Sequence, residues 1–377
     1  MKVLMQIRAN VFDVPGGDTI QMQKTKVALE ELGCEVDLSL ELRPDLSKYD
    51  LVHLFNLTRV QETYIQVQNA VAQNKPIAFS TIYWPNSEFE KKANIGFRNL
   101  LGKVLSIDQM ESLKAFAKYY FLRNKDEGTK YLMYHSYQGM QKYILEHVDV
   151  FLPNAMSEME QIRMNLGYSA DPESVVVVPN AIDSSAVGKA LASTSSEFDE
   201  YKGWLICVGR IDTRKNQLKL IEAIKGTDYK VLLVGKCSPG QKKYYNKVME
   251  AIKDNPNIRH IEQIPNEKLY RLYKVCRVSV LPSWFETPGL VSLEAAVMGC
   301  NIVVSNKGTT KDYFKQFAYY CDVQDSSSIR KQIDAAYSHT FDEKFRKLIM
   351  ENYTWEKAAE NTLRGYQKAL KKPAVNG

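Results

Sequence analysis

The stretch WFETPGLVSLEAAVMGC, residues 284–300, puts one carboxylate, Glu286, in a Pro/Gly loop and a second, Glu294, eight positions later in a segment that reads as a helix. A carboxylate accepts hydrogen bonds on both oxygens, so a pair at this separation can hold two polyhydroxylated groups, such as a sugar and a ribose. Leu293, Ala295, Ala296 and Val297 around Glu294 are apolar, and a carboxylate in such surroundings needs a partner; the alternative is a surface position on the helix. Between the two acids, Pro288 and Gly289 suit a tight turn into a helix whose N-terminus adds partial positive charge.

In CVGRIDTRKNQ an apolar run ends at Gly209 and is followed by Arg210, Arg214, Lys215 and Asn216. Cations converging past a strand end can neutralise a diphosphate, arginine through a forked contact and lysine as a point charge. A solvated basic turn is the plainer alternative. Near the N-terminus, RANVFDVPGGDTIQMQKT passes through Gly16 and Gly17 into a helix starting near Asp18 or Thr19. Paired glycines let backbone approach a ligand and the helix start offers N–H groups to an anion, although such a turn can need glycine for its geometry alone. SNKGTTKDYF, after the apolar run NIVVS, reads as a further wall of the same cleft.

These loops need strands and helices behind them, and the chain supplies both in alternation, which predicts an α/β protein with parallel sheets. KVLMQIRAN, LVHLFNL, PIAFSTIYW, VDVFLPN and SVVVVPN read as strands in the first half, with a helix from about Ile20 to Leu32 stopped by Gly33. WLICVGR, KVLLVGK, IRHIEQI, RVSVLPS and NIVVSN repeat the pattern in the second. At 377 residues two domains are expected: 1–183, a Ser/Ala/Gly-rich linker at 184–202, 203–350, and a final helical segment at 351–377. Such sheets bind ligands beyond the carboxyl ends of their strands, where the four loops fall.

Composition narrows the function. With 45% hydrophobic and 25% charged residues the chain reads as globular, and its apolar runs fall short of the roughly 18–20 residues that span a bilayer. Arg8 interrupts the first apolar run before it reaches signal-peptide length. The six cysteines, at 34, 207, 237, 276, 300 and 321, show neither metal spacing nor CxxC pairs, which suggests a reducing, cytoplasmic setting. A formal charge of +6 suits anionic small molecules or an anionic membrane and does not require nucleic acid, which is not expected as a partner. Segment 88–147 is helical in pattern and carries Lys91, Lys92, Arg98, Lys103, Lys114, Lys118, Arg123, Lys125 and Lys130 among apolar residues. Its FRNLLGKVL motif fits a basic amphipathic helix on a membrane surface, or a helix packed on its own sheet with lysines in water.

VGRIDTRKNQ, VLLVGK, SWFETPGLVSLEAAVMGC, NKGTTKDYF and YTWEKAAENTLRGYQKAL together resemble the retaining glycosyltransferases of family 4. The resemblance covers essentially all of the C-terminal half and, more loosely, the GG loop, LVHLFN and VVVVPNAID. It implies the GT-B fold, two Rossmann-like domains facing each other across a cleft, with a nucleotide-sugar on the C-terminal domain and an acceptor on the N-terminal one. Carried over, Arg210 and Lys215 would bind the donor diphosphate, Glu286 the transferred sugar and Glu294 the ribose. Thr287, Pro288, Gly289 and Leu290 would line the phosphates and sugar, Gly209 and Gly235 would lie by the donor, and Gly16 and Gly17 would close over it. The last helix would cross back to the N-terminal domain. Many members carry a histidine after the strand PIAFSTIYW, where this chain has Tyr83 and Trp84; with Asp18 and Asn56 these are the expected acceptor contacts.

No DxD triplet, the usual metal handle, is present, and a basic pair can supply the charge a metal would. No cofactor or metal is therefore expected. The co-substrate implied is a UDP- or GDP-sugar, the acceptor a glycan or lipid-linked glycan, and the setting bacterial surface-polysaccharide synthesis at the inner face of the plasma membrane. Open alternatives are a non-catalytic nucleotide-sugar-binding partner of another transferase, and a sugar-nucleotide epimerase of the same fold.

Overall fold

A computed structural model describes residues 1–13, 15–85, 89, 107–120, 127–287 and 289–371. The chain divides into two compact units, Met1–Pro179 with Trp355–Gly377, and Asn180–Thr354.

The first unit is built on β1 (Lys2–Gln6), α1 (Gly17–Glu31), β2 (Glu35–Ser39), β3 (Leu51–Phe55), α2 (Val60–Ala72) and β4 (Ile77–Ser80). It continues through α3 (Ile107–Tyr120), α4 (Glu127–Tyr134), α5 (Tyr137–Glu146), β5 (Val150–Phe151) and α6 (Met156–Leu166). Its strands run parallel in the order β2-β1-β3-β4-β5. β3 and β4 are buried at every position, as a parallel sheet covered on both faces requires. Edge strand β2, EVDLS, buries only Val36 and is too polar to stand out in the sequence. SVVVVPN, expected as a strand, runs beside β5 through an isolated bridge between Val175 and Phe151 and backbone bonds from Val176 and Val178 to the Phe151 and Pro153 carbonyls at 2.9 and 2.8 Å, but β5 is only two residues long and no full strand forms. The motif FRNLLGKVL, with Lys91, Lys92, Arg98, Lys103, Arg123 and Lys125, lies outside the described residues.

The second unit comprises α7 (Ser184–Ala192), β6 (Leu205–Val208), α8 (Gln217–Ala223), β7 (Val231–Val234), α9 (Lys242–Ile252), β8 (Ile258–Ile261) and α10 (Asn266–Val275). It goes on with β9 (Val278–Leu281), α11 (Leu290–Val297), β10 (Asn301–Ser305), α12 (Thr310–Phe314), β11 (Ala318–Cys321), α13 (Ser326–Ser338) and α14 (Glu343–Asn352). Here the parallel order is β11-β10-β9-β6-β7-β8. Counted from β6 this is the doubly wound 3-2-1-4-5-6 order, and its direction reverses between β6 and β9. β6 and β9 are paired there at Leu205–Val278 and Ile206–Ser279.

The stretch 184–202, read as a linker, instead belongs to this unit. Asp183 caps α7 by accepting from the Ala186 N–H at 2.9 Å, Val187 and Ala190 are buried, and Lys274 donates to the carbonyls of Leu191 and Ser193 at 2.8 Å. Its Ser/Ala/Gly composition masks a short helix with two buried positions. The units divide after Pro179 and Thr354, rather than at 183 and 350.

α15 (Trp355–Lys371) belongs to the first unit. A Cβ on Gly365 would stand 2.5 Å from Leu152 Cδ2, so this helix packs closely on the residue that follows β5, and a larger residue there would have to displace the Leu152 side chain. One turn face carries Tyr366, whose hydroxyl is 2.7 Å from His53 Nδ1, while Nε2 meets Ser80 Oγ at 2.9 Å. Burial holds His53 neutral, its pKa pushed down to about 3. Among the described residues no helix is long and apolar enough to cross a membrane.

Candidate functional site

Two loops leave the β6–β9 reversal point of the second unit and meet side chain to side chain. Lys215 Nζ donates to Glu286 Oε1 at 2.5 Å, and Arg214 Nη1 lies 3.7 Å from Oε2. Both partners of the closer pair are buried. Burial by itself would raise the Glu286 carboxyl, but the Lys215 and Arg214 charges override it and hold the group below the usual carboxylate range. The 209–217 loop is held by its own bonds: Asp212 Oδ1 accepts from the Lys215 N–H at 2.9 Å, Asn216 donates to the Val323 carbonyl at 2.8 Å, and Gln217 donates to the Arg210 carbonyl at 3.0 Å. Arg214 reaches the other loop by donating to the Phe285 carbonyl at 3.3 Å and sits 5.4 Å over the Phe285 ring.

The neighbouring loops close in as backbone. Glu286 bridges to Gly308, and the Thr309 N–H donates to the Glu286 carbonyl at 2.9 Å, so SNKGTTKDYF does wall this site. A Cβ on Gly308, whose φ is 86°, would fall 2.0 Å from that carbonyl oxygen; one on Gly235, φ 152°, would fall 2.0 Å from the Gly209 carbonyl oxygen. Glycine is thus required at both by position as well as dihedral. Gly308→Ala is expected to lower stability by at least about 2 kcal/mol in chemical denaturation, from the strained φ and the backbone shift it forces on Glu286. Denaturation indistinguishable from wild type would show that the contact yields freely.

Gly289, at φ 82°, precedes α11 and leaves its first N–H groups without a side-chain cap. Thr287 and Leu290 are partly exposed beside it, while Pro288 lies outside the described residues. Glu294 is half-buried on α11. It forms no ion pair among the described residues and is itself pushed up to about 8 by burial; burial also raises the Tyr270 and Tyr273 phenols beside it, to which its charge adds. Of the basic pair expected at the phosphates, the structure brings Lys215 to Glu286 and leaves Arg210 half-exposed with no ion pair among the described residues. Arg214, which the sequence shows only as one of several cations, is the second charge on Glu286.

In the first unit, Gly16 precedes α1 and the Thr19 hydroxyl accepts from its N–H at 2.9 Å. A Cβ on Gly17 would meet nothing within 4 Å, so local packing does not account for that glycine. Asp18 is held by a forked contact from buried Arg8, at 2.7 Å to Oδ2 and 3.1 Å to Oδ1. Burial opposes the Asp18 charge, yet the Arg8 contact keeps the carboxyl below its ordinary range. Asn56, buried at φ 78° after β3, accepts from the Thr58 N–H and hydroxyl at 3.0 and 2.6 Å; asparagine tolerates this left-handed turn by such local bonds. Both polar side chains expected at the acceptor are therefore engaged inside the unit. After β4, Tyr83 is buried with its phenol pushed up to about 12, Trp84 is half-exposed, and Ile82 sits at φ 40°, an outlier for a β-branched residue.

Two all-parallel Rossmann-like units, with loops gathered past the strand ends, make up the GT-B fold, and solved structures of that fold match along nearly the whole chain. Among them are sucrose-phosphate synthase from Thermosynechococcus elongatus, at a TM-score of 0.69 and 17% identity over 98% of this chain and 99% of that one, and the Anabaena protein HepE in complex with UDP, at 0.67 and 12% over 97% and 100%. Residues 190–355 match the family profile described as "Glycosyl transferases group 1". O-antigen chain mannosyltransferase B of Escherichia coli is 23% identical over 249 residues, 60% of this chain and 64% of that protein, so the match spans less than two thirds of the relative.

Proposed function

We propose that the protein is a retaining glycosyltransferase that moves a sugar from a UDP- or GDP-sugar to a glycan or lipid-linked acceptor in bacterial surface-polysaccharide synthesis. The observation that carries this reading is the buried Lys215–Glu286 pair with Arg214 at the reversal point of the second unit, next to an uncapped helix start. Dipoles and cations placed before the reaction stabilise charge that develops on a departing group without reorganising. Lys215, Arg214 and Arg210 meet the donor diphosphate, Glu286 accepts from hydroxyls of the transferred sugar and Glu294 from the ribose. The bond from the anomeric carbon to the phosphate oxygen breaks, and the acceptor oxygen bonds to that carbon from the same face. The acceptor proton passes to the departing diphosphate. Neither glutamate is a nucleophile here; the cations carry the leaving group, and no metal is used.

Support for the donor comes from HepE, solved with UDP and with UDP-glucose, and the named mannosyltransferase makes mannosyl transfer the first activity to assay. Trp84, half-exposed after β4, faces the acceptor, while Tyr83 is buried. On α3, Leu113, Phe116 and Tyr120 are exposed at helical spacing with Lys114 among them, a stripe suited to the anionic inner face of the plasma membrane in the cytoplasm.

The test is product stereochemistry. Incubated with an α-linked nucleotide-sugar, acceptor and excess chelator, the enzyme is expected to give α-linked product by NMR at an undiminished rate. A β-linked product contradicts retention, and loss of turnover restored by a divalent ion contradicts transfer by the cations alone.

A further inference from the structure

Glu158, in the first turn of α6, is fully buried and forms no ion pair among the described residues. Its Oε2 accepts the Thr81 hydroxyl at 2.5 Å. The Asn154 side chain and the main-chain N–H groups of Asn154 and Tyr83 also favour its charge. Asn154 is tied in turn to α1, accepting from Gln21 at 3.0 Å. The other Glu158 oxygen, Oε1, is buried with no hydrogen-bond partner among the described residues, and Thr81, which Glu158 does hold, is the neighbour of Ile82, which stands at φ 40°. A β-branched residue persists in such a conformation only where its surroundings over-determine it. The loop leaves the carboxyl end of β4, the side of an open parallel sheet on which ligands bind, and ends at the half-exposed Trp84.

We propose that Glu158 is a positioning residue for this loop: by holding Thr81, directly before Ile82, it sets where the Trp84 ring stands. Burial pushes the Glu158 carboxyl up to about 7, so the anchor gains a proton near neutrality, when its oxygens accept less well. The groups facing it are the Thr81 hydroxyl and Tyr83 from the loop, Asn154 from the start of α6, and Gln21 of α1 behind Asn154. Of these only the Tyr83 phenol titrates, and at about 12 it stays protonated through that range. That an acceptor sugar meets Trp84 rests on the function proposed above; the dependence of the loop on Glu158 does not.

The signal to follow is Trp84 fluorescence, taken as the difference between the wild type and Trp84→Phe, because Trp204, Trp284 and Trp355 also emit. A single transition is expected between about pH 6 and pH 8, the range set by a carboxyl titrating near neutrality. It should vanish in Glu158→Gln, measured against Glu158→Gln/Trp84→Phe. In Thr81→Val, which keeps the acid but removes a bond to its charged form, the midpoint should rise by about one pH unit. A flat wild-type signal, a transition that survives Glu158→Gln, or an unmoved midpoint in Thr81→Val each overturns the proposal. In the transfer assay Glu158→Gln is expected to raise the acceptor KM by about tenfold, as loss of one oriented contact would, with donor KM and kcat little changed. Loss of the optical transition with an unchanged acceptor KM would keep Glu158 as the anchor of the loop and remove the acceptor from Trp84.

Discussion

Lys215→Met is expected to lower sugar transfer by about 10²–10³-fold and folding stability by about 3–5 kcal/mol. The two losses have separate causes. Transfer falls because the cation that meets the developing charge on the diphosphate is gone. Stability falls because Glu286, buried and 2.5 Å from Lys215 Nζ, is left with Arg214 alone, at 3.7 Å and a third exposed. Burial, the largest influence on Glu286, then drives its carboxyl upward. Removing both members of a buried pair restores what removing one loses. Lys215→Met/Glu286→Leu should therefore recover most of the stability in a denaturant melt and none of the activity. If the double variant is no more stable than Lys215→Met, the pair is not what holds the two loops together; if Lys215→Met turns over at the wild-type rate, the leaving-group role falls.

Glu294→Gln should change both stability and donor binding, with a pH signature. In the folded protein this carboxyl is pushed up to about 8 from an ordinary 4.5. Between those values the folded state holds a proton that the unfolded chain has released, so wild-type stability falls as pH rises from 4.5 and levels off above about 8. Partial exposure and solvent screening keep the slope below about 1.4 kcal/mol per pH unit. Glutamine has no proton to lose, so the variant should show a flatter profile and be the more stable of the two at high pH. Donor binding runs the other way. A carboxylate that accepts both ribose hydroxyls must first lose its proton, so nucleotide-sugar affinity should rise by up to about tenfold per pH unit towards pH 8. In Glu294→Gln it should be weaker by about 1.5–3 kcal/mol, the worth of hydrogen bonds to a charged group, and independent of pH. Calorimetry across that range decides it, and a variant that keeps wild-type affinity takes Glu294 away from the ribose.

The sequence showed most of the strands and the loops after them, for a physical reason. Strands buried on both faces, such as LVHLF, VLLV and NIVVS, are continuous apolar runs, and the polar, glycine-bearing segments that follow are conspicuous against them. Two of the four edge strands were harder to see: EVDLS and AYYC lie at the ends of their sheets, and their residues carry no such run. SVVVVPN misled in the opposite sense, apolar yet lacking a partner strand of any length. The helix 184–192 was hidden because serine, alanine and glycine fill most of it, and only Val187 and Ala190 mark its buried side.

At the site, residue types and loops could be read but pairings could not. Nothing in spacing says that Lys215 rests on Glu286, 71 residues away, or that Arg214 and not Arg210 is the second cation beside it. Gly308 illustrates the same limit: its reason for being glycine is the Glu286 carbonyl from another loop. Glu158 left one faint signal, an acid between Met156 and Met159 in a helix start, and its meaning depends on Thr81 from a different strand.

The central claim is that a nucleoside diphosphate binds the second unit with its phosphates on Lys215. Titration calorimetry of UDP and GDP, with UMP and GMP as controls, tests it most directly in the wild type and Lys215→Met. One diphosphate is expected to bind the wild type and to lose at least about tenfold in affinity in the variant, the worth of one charge-assisted contact, while its monophosphate binds both proteins alike. A diphosphate that binds Lys215→Met as tightly as the wild type would contradict the account.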